Sequence, residues 1–202
     1  MEAPRPRVPW WRRIWWSIWA HLILPYLESH SPLRQVAWGS AIGMFVAITP
    51  TVGIQMYIVT LIWLLCRYLF RTPFTLSVSI AMVWISNPIT VAPLYYLFLQ
   101  TGDLLFGLMG QEVHDMTFEA FKAQVQALED AGGDNFFEWL YHAMVVLVVE
   151  FGWPMLIGSL LYAIPLSILS YPTTIMLLGR YRRRLADSAG MSYEEWRKKF
   201  EN

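Results

Sequence analysis

Two short runs place polar groups where the chain is otherwise apolar. The run "ITPTVGIQ", residues 48–55, sets Thr49, Pro50, Gly53 and Gln55 inside an uncharged block from Gln35 to Cys66. The run "WISNP", residues 84–88, sets Ser86, Asn87 and Pro88 inside a second such block, from Thr72 to Gly102. Proline lacks a backbone donor and glycine is a poor helix former, so each run is expected to break a helix. A broken helix exposes backbone N–H groups and the positive end of its dipole, which suit a phosphate or a carboxylate. The amides of Gln55 and Asn87 would add hydrogen-bonding groups at the same depth. The plainer alternative is that these side chains cap the broken ends, as every break requires. Glu150 is the one acid within the third apolar block. It is either a proton carrier, a partner of Arg67 or Arg71, or a solvated group if its "EFGWP" turn lies at an interface.

No other chemistry is legible. His21, His30, His114 and His142 have no ligand spacing with one another or with Cys66, so no metal or other cofactor is expected. A single cysteine forms no internal disulfide. No nucleophile–base set, Walker sequence or Gly-rich phosphate loop occurs in a suitable setting, so no enzyme activity is expected.

The elements that would hold these groups follow from composition. Of 202 residues, 56% are hydrophobic and 15% charged, against about 25% charged in a soluble domain. The uncharged stretches 35–66, 72–102 and 151–179 each exceed the roughly 18 residues that flag a membrane span. The expected fold class is all-α, a polytopic helical membrane protein with re-entrant or discontinuous helices. A single helix over residues 33–66 would reach about 50 Å, well beyond a ~30 Å hydrocarbon core. The block is therefore a hairpin tipped by "TPTVG", or a half-helix followed by a span. Ala37, Gly39, Ser40, Ala41 and Gly43 would let a partner helix approach closely. Residues 139–179 are expected to hold a half-element and then a crossing helix. Residues 116–131 read as a short amphipathic helix. A capping box, Ser192 with Glu195, opens a last helix whose Tyr193, Trp196 and Phe200 would rest on the cytoplasmic face.

Three regions result: an interfacial Trp/Arg-rich segment at 1–31, a membrane domain at 32–180 with an extramembrane segment at 103–138, and a basic tail at 181–202. Residues 1–34 carry five Arg against two acids, and residues 180–202 carry seven basic groups against four acids. The segment 103–138 carries eight acids and only Lys122. Lys and Arg favour the cytoplasmic side of spans, so both termini are expected there. Trp11, Trp15 and Trp19 share one helical stripe opposite Arg13, which suits a helix lying on the membrane. Membrane lipids are the expected partners, with a second copy of the chain or an envelope protein as further ones. Nothing in the charge pattern calls for nucleic acid.

One longer pattern is recognisable. Ala37, Gly39, Ala41, Gly43 and Phe45 are followed by Pro50, Gly53 and Gln55, then by Asn87, Pro88, Thr90, Pro93 and Leu94. This series resembles the bacterial DUF2062 family of integral membrane proteins, whose biochemical role is uncharacterised. The resemblance covers residues 32–102 and extends loosely to the helix containing Gly158. It implies a multi-pass protein of the bacterial cytoplasmic (inner) membrane, and it supplies no activity. The residues themselves point first to a small translocase for an amphipathic anionic substrate, such as a phospholipid or a polyprenyl-phosphate. The competing expectation is a membrane anchoring or assembly protein for an envelope-biogenesis enzyme, using the Trp/Arg segment and the basic tail for docking.

The topology is tested by cysteine labelling in a Cys66→Ser background. Probes at residues 2 and 202 should both react from the cytoplasmic side, and labelling from opposite sides would refute the arrangement.

Overall fold

The computed structural model describes residues 31–51, 53–86, 88–111, 116–131 and 151–200. The Trp-rich segment, Asn87, Glu150 and the half-element expected before residue 151 lie outside the described residues. Those described form an all-helical fold of seven helices, with no strand among them. They are α1 (Leu33–Ile48), α2 (Gln55–Tyr68), α3 (Leu76–Val83), α4 (Pro88–Leu108), α5 (Phe118–Ala131), α6 (Gly152–Ser188) and α7 (Tyr193–Phe200).

The first block folds as two helices, α1 and α2, joined by a tight turn. Pro50 ends α1 and Gly53, at φ 86°, takes a left-handed conformation that side chains disfavour, so the chain reverses there. The end of α2 is tied to the start of α3, where Trp63 Nε1 donates to the Phe74 carbonyl at 3.1 Å. The start of α3 is tied in turn to the start of α1, where the Thr75 N–H donates to the Gln35 carbonyl at 3.1 Å. Helix α2 therefore runs back along α1, and α3 runs forward again beside it. Gly39 and Gly43 let α3 approach α1, because a Cβ on either would meet Thr75 or Ser79 backbone at 2.6 Å.

Helix α6 organises the rest. At ~1.5 Å per residue its 37 residues reach about 55 Å. Its first half packs against α4, where Gly102 and Gly158 bring the two backbones together: a methyl at Gly158 would overlap the Phe98 carbonyl, and one at Gly102 the Pro154 carbonyl. Its second half packs antiparallel on α1 through hydroxyls. Ser40 Oγ lies 2.6 Å from Ser170 Oγ, Thr174 Oγ1 donates to Ser40 Oγ at 3.0 Å, and Ser167 Oγ donates to the Ala41 carbonyl at 2.9 Å. Between the halves, Ile48, Val91, Tyr95 and Ala163 share one buried cluster. Helices α1 and α4 thus follow one another along α6, and the chain breaks lie at the level of Ala163.

Two helices run through the bounds drawn from sequence. Helix α4 continues through Asp103 to Leu108, and Asp103 is buried. The helix carries Gly107 within it and ends before Gly110, which takes a positive φ of 76°, and Gly102 is retained for the close contact with α6. Helix α6 runs on through Arg180–Arg184 to Ser188, and its strong stop is Gly190 at φ 67°. The helix expected at 116–131 is present as α5, with Phe121 buried against Phe151 at a ring separation of 5.2 Å.

The capping box forms as expected. The Ser192 N–H donates to Glu195 Oε2 at 2.9 Å and the Glu195 N–H donates to Ser192 Oγ at 3.3 Å. The hydrogen bond from the Ser192 backbone, helped by that residue's side chain, holds the Glu195 carboxyl below its ordinary value. A lowered folded-state value means this cap is complete above the ordinary carboxylate range and is lost as the pH falls through the lowered one. The aromatic residues of α7 turn onto the end of α6: Trp196 lies under the Arg182 guanidinium at 5.8 Å and Tyr193 under that of Arg183 at 5.6 Å.

Gly158→Ala should force α4 and α6 apart and cost about 1–3 kcal/mol or more. Gly179→Ala should be tolerated, since its Cβ would rest 3.7 Å from Leu33 Cδ2. Equilibrium unfolding in mixed detergent micelles would compare the two.

Candidate functional site

The two breaks lie side by side. Ser86, just past the end of α3, donates from Oγ to Gln55 Oε1 at 2.9 Å, and Gln55 is the first residue of α2. This contact joins residues 31 apart in sequence. Gln55 is 5% exposed, and among the described residues its Nε2 has no hydrogen-bond partner. An amide end held in that state costs about 1–3 kcal/mol. Ser86 Oγ also lies 3.1 Å from the Val83 carbonyl, so its proton is shared between two acceptors.

Each break is otherwise satisfied mostly from within. Thr49 Oγ1 donates to the Val46 carbonyl at 2.8 Å and sits 3.2 Å from Thr51 Oγ1. Thr90 Oγ1 reaches back across the second break to the Ile85 carbonyl at 2.9 Å. Thr49 and Pro50 are half-buried and Gly53 is exposed. Pro88 is the first residue of α4, a position where its missing N–H costs nothing. No side chain caps the N-terminus of α2 and no acid lies in its first turn, and the first turn of α4 also carries no acid. The N-terminus of α2, where Gln55 stands, is therefore offset by neither a side-chain cap nor an acid of its own first turn.

Of the residues singled out by sequence, the structure brings together Gln55 and Ser86, and leaves Thr49, Pro50 and Gly53 in the adjoining turn. Asn87 and Glu150 lie outside the described residues. Among the described residues no group of three or more His, Cys, Asp or Glu side chains gathers. Sequence reasoning missed the hydroxyl ladder of Ser167, Ser170 and Thr174, although their i, i+3, i+7 spacing puts them on one helical face. It also passed over Arg182, which is 1% exposed and donates from Nη2 to the Ser31 carbonyl at 3.1 Å. Inside the basic run nothing distinguishes it from its neighbours.

Ser86→Ala should leave both ends of the Gln55 amide unpaired and cost about 1–2 kcal/mol. Gln55→Met should stay within about 1 kcal/mol of the native chain, since it removes the orphaned nitrogen and Ser86 keeps the Val83 carbonyl. Unfolding midpoints measure both, and a larger loss for Gln55→Met would show the amide to be purely structural.

Helices α4, over Thr90–Leu108, and α6 are long and apolar enough to cross a membrane. No curated protein and no solved structure matches the chain. The family model described as "uncharacterized protein conserved in bacteria (DUF2062)" matches residues 17–186, which take in every helix from α1 to α5 and nearly all of α6. The chain belongs to that bacterial family.

Proposed function

We propose that the chain is a multi-pass protein of the bacterial cytoplasmic membrane, with both termini in the cytoplasm. In that setting it is a small translocase for an amphipathic anionic substrate, such as a phospholipid or a polyprenyl-phosphate. The observation that carries this reading is the junction of Gln55 and Ser86, with its buried amide nitrogen unpartnered among the described residues. It lies at the level of Ala163, close to the centre of the uncharged 151–179 stretch of α6. An N–H without a partner in hydrocarbon costs several kcal/mol, and a substrate oxygen would repay it. Helix N-termini at mid-depth are how many transporters hold an anionic group.

The apolar surface supports the membrane setting. Leu161, Ile164, Ile168, Leu169 and Leu177 of α6 are exposed, as are Leu61, Leu64 and Leu65 of α2. Side chains of this kind belong against acyl chains and not in water. On this reading the α1–α2 hairpin enters and leaves the bilayer on one side, α3 enters again, and α4 completes the crossing.

Reconstitution into vesicles containing fluorescent phosphatidylglycerol or a polyprenyl-phosphate tests the proposal. The native chain should move label between leaflets. Gln55→Met should fold and insert yet move it roughly 10- to 100-fold more slowly, the loss expected for one hydrogen bond to a charged group. Asn87→Leu should lower the rate far more than the expression level, and Asn87→Asp should repel the anion. No movement of either lipid by the native chain would overturn the translocase and favour the anchoring role.

A further inference from the structure

A second site lies at the opposite end of α1 from the break. The start of α1, the basic part of α6 and α7 line an open cavity of about 670 Å³, a volume typical of small-molecule sites, with the arginines of its wall exposed. Four arginines from three helices line it: Arg34 from α1, Arg180 and Arg183 from α6, and Arg197 from α7. Among the described residues none of the four makes an ion pair, and no acid lines the cavity. Asp187 and Glu194 are not part of the wall, and Glu195 is held in the capping box. Four positive charges would repel one another there unless an anion or salt offset them.

Among the described residues three of those four charges, on Arg34, Arg180 and Arg197, take no part in holding the site in shape. Arg182 points the other way, bonding the Ser31 carbonyl and lying over Trp196, so it ties the start of α1 and α7 to α6. Arg183 stands over the Tyr193 ring. The N-terminus of α1 has no side-chain cap and no acid in its first turn, so its positive end adds to the field. The remaining wall is apolar, from Pro32, Leu33, Ile175 and Met176. Below it the exposed Leu177, Leu169 and Ile168 continue along α6. The cavity therefore grades from guanidinium groups into a surface suited to acyl chains.

We propose that this cavity binds the phosphate of an anionic ester, with a lipid phosphate as the source that fits its apolar half. Guanidinium groups pair with phosphate oxygens bidentately, and a phosphate monoester carries close to two negative charges at neutral pH. The ligand binds here whether or not the break moves it. The site stands apart from the translocase reading and extends it.

The test uses the full chain in neutral nanodiscs at physiological ionic strength, where exposed charges off the site are screened. Phosphatidic acid at low content is the lipid probe, and inorganic phosphate and glycerol phosphate are the soluble probes. Phosphatidic acid should bind, and Arg180→Gln with Arg197→Gln should weaken it by roughly tenfold or more for each arginine removed. Neither residue has a ring or hydrogen-bond contact among the described residues, so the fold should hold, as helical content would verify. The charge-matched pair Arg184→Gln with Lys198→Gln lies off the cavity wall and should change binding by less than about threefold. Equal weakening by both pairs, or by neither, would overturn the site. Displacement of the lipid by glycerol phosphate at comparable affinity would support the phosphate site and assign it to a soluble ester. Full lipid binding without movement between leaflets would leave this site standing while the translocase falls.

Discussion

The fold depends on two backbones touching. Where α6 carries Gly158 and α4 carries Gly102, each helix meets the other's carbonyls with no side chain between them. Hydrocarbon gives helices little hydrophobic reason to associate, so in a bilayer such contacts and polar pairs would decide which helices pack and at what height. Once Gly158 sits on Phe98, the axial position of α4 on α6 is fixed. Val91 and Tyr95 then fall beside Ala163, and Ile48 at the end of α1 meets them there. The level of both breaks is thus inherited from a contact two turns away.

The polar groups divide into two kinds. Ser40, Ser167, Ser170 and Thr174 are buried or half-buried, and they close on one another or on the Ala41 carbonyl, which makes them fasteners between α1 and α6. Gln55 is just as deeply placed, yet only its carbonyl end is used. Among the described residues Thr75 Oγ1 is buried without a partner as well, so Gln55 Nε2 is not alone in that state. At the far end of α1 the same contrast recurs, with Arg182 bonded inward and its neighbours Arg180 and Arg183 left to line a cavity.

Much of this was legible because its signals are local. Pro50 with Gly53, and Pro88 after Ser86, announce breaks by removing donors and permitting reversed backbone, and the breaks are where those residues stand. Ser192 and Glu195 announce a cap across one turn, and it forms. Small residues from Ala37 to Gly43 announce a close partner, and α1 has two. What stayed hidden is relational. Nothing local announces that α2 and α3 fold back beside α1, which rests on the ties of Trp63 to Phe74 and of Thr75 to Gln35. The reach of α4 through Asp103 was hidden because a carboxylate reads as solvent-facing until its burial is seen. The arginine cavity was hidden because "RYRRR" looks uniform, while its members point to different sides of one helix.

The bond between Ser40 and Ser170 spans 130 residues of sequence. At the usual 5–20 residues per second of synthesis, α1 leaves the ribosome roughly 7–26 s before the helix that fastens it exists. During that interval α2 and α3 can already fold beside it, since their ties are local, but its hydroxyl face has no partner. The keystone arrives nearly last, and the order of manufacture runs opposite to the order of structural dependence. Synthesis of this molecule therefore includes a waiting period in which the shorter helices have only their own local ties to hold them together, until α6 emerges and sets their relative height.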